Sequence, residues 1–172
     1  EIENQVRYVR SSSTYSTSAS GSDNPGNPVV LYETALWNQG APYNDLCPYD
    51  GAERSVTGCV ATAMAIVMKY HEWPDAGVGT IPSYVTYAQQ IEVGAIDLGY
   101  EYDWDNMLMS YDAGSSAIQN RAVARLMADC GAALQMDYSA SASGAPSEYL
   151  PIVLSTYMKY DKSTVLRYRG SY

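Results

Sequence analysis

Residues 57–71 read Thr57-Gly58-Cys59-Val60-Ala61-Thr62-Ala63-Met64-Ala65-Ile66-Val67-Met68-Lys69-Tyr70-His71, and Glu72-Trp73-Pro74 follow. A glycine turn opens into a run of helical period, and Pro74 stops it because proline breaks a helix interior. The spacing predicts a helix over 59–73, with Val60, Ala63, Met64, Val67 and Met68 on the face turned to the core. Cys59 stands in the first turn of that helix. Unsatisfied backbone N–H groups and the positive end of the helix dipole favour a thiolate there over a thiol. Most free cysteines are small buried hydrophobes without chemistry, so Cys59 alone does not define a site.

Twenty positions upstream, Trp37-Asn38-Gln39-Gly40-Ala41-Pro42-Tyr43-Asn44 forms a polar segment with turn residues. Held on a turn made by Gly40 and Pro42, the Gln39 amide is a candidate oxyanion donor beside the Cys59 backbone N–H. The two segments together describe half of an acyl-transfer site.

These residues resemble the streptopain-type cysteine peptidases, secreted bacterial enzymes with a papain-like fold. Asn38-Gln39-Gly40 with Pro42-Tyr43-Asn44 is similar to that family's oxyanion-hole segment, and 57–74 to its nucleophile helix. Tyr102-Asp103-Trp104-Asp105-Asn106-Met107-Leu108 resembles an aromatic turn of the family. Leu126-Met127-Ala128-Asp129-Cys130-Gly131 and Met136-Asp137-Tyr138 resemble the helix and the cleft wall that follow. The likeness is collinear from about Pro28 to about Tyr160. It implies an α+β papain-like fold, of which this chain is mainly the helical half. It further implies that Cys59 and Gln39 are catalytic and that the loop containing Ser139, Ser141, Ala142, Ser143 and Gly144 lines the substrate cleft. Small side chains there let a peptide backbone approach closely, and contacts are better assigned to the loop's backbone than to its side chains.

A cysteine peptidase needs a base for its thiol, and the only histidine is His71. Twelve residues of helix at 1.5 Å rise place it on the order of 18 Å from Cys59, out of reach. The catalytic histidine of the resembled family belongs to a β-rich half that does not follow here. Three accounts fit an end at Tyr172: a nicked chain bound to a second polypeptide, a recombinant half, or a truncated inactive relative. The first is favoured by the polar tail Lys162–Tyr172 and by the uncovered core face a helical layer alone would leave. The expected partners are therefore a carboxyl-terminal chain of the same precursor carrying the histidine, an inhibitory prodomain, and protein or peptide substrates. A catalytically inactive papain-fold binding module and a papain-fold acyltransferase are the alternatives.

Residues 11–27 are almost wholly Ser, Thr, Gly, Asn and Pro, too poor in apolar side chains to order by burial. Residues 1–27 thus read as a flexible prodomain remnant or linker and 28–172 as the peptidase part. The chain has 172 residues, 47% of them apolar, and a net charge of −9 without a basic patch. That composition suits one domain or part of one, and the charge argues against nucleic acid and anionic membranes. No stretch is long and apolar enough to span a membrane. Seventeen tyrosines accompany no phenylalanine, and a Tyr-, Ser- and Gly-rich chain suits a secreted protein. The location expected is extracellular or the bacterial cell envelope. No metal or organic cofactor is implied: Cys47, Cys59, Cys130 and His71 lack the close ligand spacings of structural zinc sites. Cys47 and Cys130 read as buried thiols in preference to a disulfide.

Other helices are expected at Val30–Trp37, at Ser83–Glu92, from Ser115 or Ser116 through Cys130 to a stop at Gly131, and from Ser147 to Tyr160 with Pro151 in the first turn. Ile118, Ala122, Val123, Leu126, Met127 and Cys130 should face inward from the third of these.

Overall fold

In the computed structural model, residues 33–167 are described. The expected linker over 1–27, the domain start near Pro28 and residues 168–172 lie outside them. Helix α1 spans Cys59–His71. It ends two residues before Trp73 because Glu72 takes a left-handed φ of 45° and its N–H turns back to the Lys69 carbonyl. Lys69, in the last turn where a cation opposes the dipole, donates from Nζ to Glu72 Oε1 at 2.8 Å and to the Trp104 carbonyl at 2.9 Å. The indole N–H of Trp104 donates to the Pro74 carbonyl at 3.0 Å. The 3-10 turn Trp104–Asn106 is thereby fastened to the end of α1.

The buried face of α1 is Ala61, Met64, Ala65 and Met68, with Thr62 and Lys69 beside it. Ala63 and Val67 point outward instead of inward, and Val67 is 46% exposed. The burial face is set by α2, Ala117–Ala133, which packs against α1 and gives Val123, Leu126, Met127 and Cys130 to the core they share. The Cys130 thiol lies 3.7 Å from the Met68 sulfur. α2 starts where expected: Ser116 Oγ accepts the Gln119 N–H, and Gln119 Oε1 accepts the Ser116 N–H, a reciprocal capping box. Two expectations for α2 fail. Ile118 is 64% exposed in the first turn, and Gly131 does not stop the helix. It is glycine because the Tyr138 hydroxyl occupies the place a Cβ would take.

No helix forms over 83–92. Residues 80–97 make a nested antiparallel excursion of four two-residue strands: β3 (Thr80–Ile81) pairs with β6 (Ile96–Asp97), and inside them β4 (Tyr84–Val85) pairs with β5 (Glu92–Val93). Thr86 closes the turn, its hydroxyl accepting the Ile91 N–H at 2.8 Å, and Gln90 takes a φ of 53° that a helix interior forbids. The helix expected at Val30–Trp37 is absent from its described part. Burial alternates there, Ala35 and Trp37 in and Leu36 out, and the Leu36 N–H pairs with the Met109 carbonyl at 2.7 Å, the signature of an extended segment. The last helix is a 3-10 turn, Ser147–Tyr149, leading into α3, Leu150–Tyr157, with Pro151 in its first turn. It ends before Tyr160 because Lys159 adopts a φ of 54°. A short hairpin, β1 (Tyr49–Asp50) with β2 (Glu53–Arg54), precedes α1. None of the described helices is long and apolar enough to cross a membrane.

Candidate active site

Cys59 is the first residue of α1 and its side chain is exposed. Gly58 before it has φ 85° and ψ 140°, and no side chain caps the helix. A Cβ on Gly58 would stand 2.6 Å from Met136 Sδ and 3.2 Å from the Ser143 carbonyl oxygen. Only glycine satisfies both the backbone angle and the close approach. Behind the turn, the hydroxyls of Thr57 and Thr62 meet at 2.8 Å, and Thr62 Oγ1 donates to the Gly58 carbonyl at 3.0 Å. The Gly58–Cys59 turn is thus tied to the second turn of its own helix.

The segment around Gln39 is fastened to the same turn from one side. The Thr57 N–H donates to the Gln39 carbonyl at 3.1 Å. Buried Asn44 reaches the Ser55 carbonyl from Nδ2 at 3.0 Å. Gln39 is half-buried and its N–H donates to Asn38 Oδ1 at 2.7 Å. Tyr43, packed edge-on against Tyr111 with ring centroids 5.3 Å apart, anchors the turn in the core.

The loop 137–144 joins the same turn through Val56. A two-bond bridge between Asp137 and Gly144 closes it. Its residues divide in two. Ser141, Ala142 and Gly144 are exposed, whereas Ser139 and Ser143 are buried and spend their hydrogen bonds inside the protein. Ser143 Oγ accepts the Ser139 N–H at 3.0 Å and donates to the Val56 carbonyl at 2.7 Å. The Val56 N–H returns to the Ser139 carbonyl at 3.1 Å. Asp50 on β1 accepts the Ala140 N–H at 3.0 Å. The structure therefore gathers the Gln39 segment, the Cys59 turn and the 139–144 loop around residues 55–58.

His71 lies at the far end of α1, its ring in edge contact with Tyr70 and with Tyr160, at 5.0 and 6.5 Å between centroids. Cys47 and Cys130 are buried free thiols. Sequence reasoning gave no role to Asn44 and missed Asp50, although Asn44 lies within a quoted motif. Nothing local pairs Asp50 with Ala140, ninety residues on, so no signal existed for it.

Residues 37–172, including every residue of this arrangement, match the Peptidase C10 family. The chain belongs to that family. It is 30% identical over 190 residues to streptopain of Streptococcus pyogenes serotype M1, covering 99% of this chain and 48% of that protein. It is 31% identical to the thiol protease/hemagglutinin PrtT of Porphyromonas gingivalis, over 85% of this chain and 18% of that protein. Active wild-type interpain A cysteine protease of Prevotella intermedia superposes with a TM-score of 0.65 at 36% identity, covering 73% of this chain and 52% of that one. A prointerpain A fragment of the same organism gives 0.65 at 35% identity, over 72% and 41%. The fold is that of the papain-like cysteine proteases. The chain spans about half the length of the streptopains it matches.

Proposed function

We propose that this chain is the nucleophile-bearing part of a cysteine endopeptidase. The observation that carries the reading is an exposed Cys59 at the uncapped start of α1, with the Gln39 segment hydrogen-bonded to the residue two places before it. The Cys59 thiolate attacks the scissile carbonyl carbon, and the Cys59 N–H and the Gln39 side-chain amide receive the oxyanion. The C–N bond breaks as a histidine, which took the thiol proton, returns it to the leaving amine. Water then hydrolyses the thioester, the same histidine acting as base. His71 cannot be that residue, since the helix holds it roughly 18 Å along the axis from Cys59. The base is supplied by a carboxyl-terminal chain or segment of the same precursor, which also covers the outward face of α1 at Ala63 and Val67.

Two further parts belong to the reading. Family likeness to a pro-form, prointerpain A, supports synthesis as a zymogen whose prodomain occludes the cleft. Export to the extracellular space or cell envelope accords with it. Substrates are peptides whose backbone lies along the exposed edge of the wall at Ser141, Ala142 and Gly144.

The test is a native mass spectrum of the purified protein, then denaturation of the same sample, alongside a peptide-hydrolysis assay with Cys59→Ala as control. A second polypeptide released on denaturing, or a longer chain, that supplies a histidine in addition to His71, together with Cys59-dependent hydrolysis, is the expected result. A complete protein that hydrolyses no peptide yet transfers acyl groups to amines overturns the reading in favour of an acyltransferase. One with no thiol-dependent chemistry overturns it in favour of a binding module.

A further inference from the structure

We infer that Ser143 is a positioning residue, whose hydroxyl clamps the cleft wall to the nucleophile turn and so sets the oxyanion geometry; this rests on the peptidase reading above. Two consecutive residues, Val56 and Thr57, join β2 to the turn before Cys59. Val56 is held on the wall side through both of its peptide groups: its N–H donates to the Ser139 carbonyl at 3.1 Å, and its carbonyl accepts from Ser143 Oγ at 2.7 Å. Thr57 is held on the opposite side, its N–H donating to the Gln39 carbonyl at 3.1 Å. The pair is therefore a connector bonded to the wall loop through Val56 and to the Gln39 segment through Thr57. Gly58 and Cys59 follow at once.

Among the described residues, Ser143 is the side chain that bonds Val56 from the wall side. It is 8% exposed and touches three backbone groups, accepting from the Ser139 N–H and lying within 3.1 Å of the Ser139 carbonyl as well as 2.7 Å of Val56. Its hydroxyl proton is committed inward and is not offered to a substrate. Its carbonyl abuts Gly58. Loss of the hydroxyl leaves the buried Ser139 N–H and the half-buried Val56 carbonyl without this partner, while the Gln39 side of the connector stays intact. Oxyanion donors act only when held within a fraction of an ångström, so release of one flank lowers transition-state stabilisation more than substrate affinity.

The experiment is steady-state kinetics on the complete, processed enzyme with Ser143→Ala, Ser143→Thr, Gln39→Ala and the double variant Gln39→Ala/Ser143→Ala. Ser143→Ala should lower kcat about ten-fold, the scale of one buried hydrogen bond, with KM within about two-fold. Ser143→Thr, which keeps the hydroxyl, should recover most of kcat. In the Gln39→Ala background the same Ser143→Ala change should cost clearly less than in the parent, because one of the two oxyanion donors whose spacing the clamp sets is already gone. A raised KM with unchanged kcat overturns the proposal in favour of direct substrate contact. An equal kcat loss in both backgrounds also overturns it, since a general loosening would act independently of Gln39. If Ser143→Ala does not fold, amide exchange on the unaltered protein decides: the Val56 and Ser139 N–H groups should be protected by more than about a thousand-fold, and free exchange sinks the clamp. Failure of the peptidase reading is distinguishable, because it appears as no Cys59-dependent hydrolysis in the unaltered enzyme, whereas the exchange measurement needs no catalysis.

Discussion

The Thr57 amide N–H donates to the Gln39 carbonyl oxygen at 3.1 Å, joining the segment that carries the oxyanion-donor candidate to the turn that carries the thiol. With Gln39 on this leash, its side chain is the group whose removal should be felt in the transition state. Gln39→Ala in the complete enzyme should reduce kcat by about a hundred- to a thousand-fold, the range for losing one oxyanion-hole donor, with a small change in KM. Steady-state hydrolysis of a peptide substrate checks it, and a loss below about five-fold would mean that another group fills the role.

The three thiols should separate cleanly by reactivity. Cys59 is exposed, while Cys47 is 1% exposed and Cys130 fully buried. Burial pushes the Cys47 thiol up to about 12, against the pull of the Tyr138 hydroxyl and the Arg54 guanidinium. Burial, with the nearby Asp129 charge, holds Cys130 well above its ordinary value. Iodoacetamide at mildly alkaline pH should therefore add one label per chain to native protein and three in denaturant, counted by mass. A second rapid label on native protein would contradict the burial of Cys47 or Cys130.

What could be read from the residues tracks how local the deciding interaction is. The start of α1 and, to within one residue, the start of α2 were legible because a glycine turn and a serine cap act within one turn, whereas α1 stops two residues short of the expected end because Glu72 turns left-handed. The buried face of α1 was legible at Met64 and Met68 but not at Ala63 and Val67, since the helix is apolar on a neighbouring stripe as well, Ala61 and Ala65, and only the position of α2 selects between the two. The 83–92 segment failed for a related reason: its strands are two residues long and are held by pairing with each other and by the enclosing β3–β6 pair, which no local period reports. Cys59, Gln39 and the wall loop were placed by motif, but the bonds that join them run through backbone groups of Val56 and Thr57, invisible in side-chain identity.

Gly58 offers a sharp test of the turn. A non-glycine residue at φ 85° strains the backbone by about 1–2 kcal/mol. Its Cβ would also press on Met136 Sδ and on the fixed Ser143 carbonyl, adding about 1–3 kcal/mol of overpacking. Gly58→Ala should lower the melting temperature by roughly 5–15 °C in calorimetry and slow hydrolysis further, as the wall is pushed from the thiol. A melting temperature within about 2 °C of the parent would refute the close approach.

Asp129 sits fully buried on α2, accepting from the Tyr100 hydroxyl at 2.5 Å on Oδ2, with the Arg125 guanidinium 3.9 Å from Oδ1. Oδ1 has no hydrogen-bond partner among the described residues. Burial raises the carboxyl from 3.8 to about 6, against the opposing pull of Tyr100, Arg125 and Tyr102. A raised acid binds its proton more tightly in the folded state than in the unfolded one. The stabilisation is thus complete below about pH 4 and is lost as pH rises through about 6. Two units correspond to on the order of 3 kcal/mol, or roughly 5–10 °C in melting temperature for a chain of this size. Exposed carboxylates contribute their own pH dependence, which Asp129→Asn leaves in place while removing this one. The melting temperature of the parent minus that of Asp129→Asn should fall by that amount between pH 4 and pH 7, measured by calorimetry in matched buffers. A difference that stays flat, or rises with pH, would show that Asp129 is ionised at no cost in the folded protein, and that Arg125 and the two tyrosines outweigh its burial.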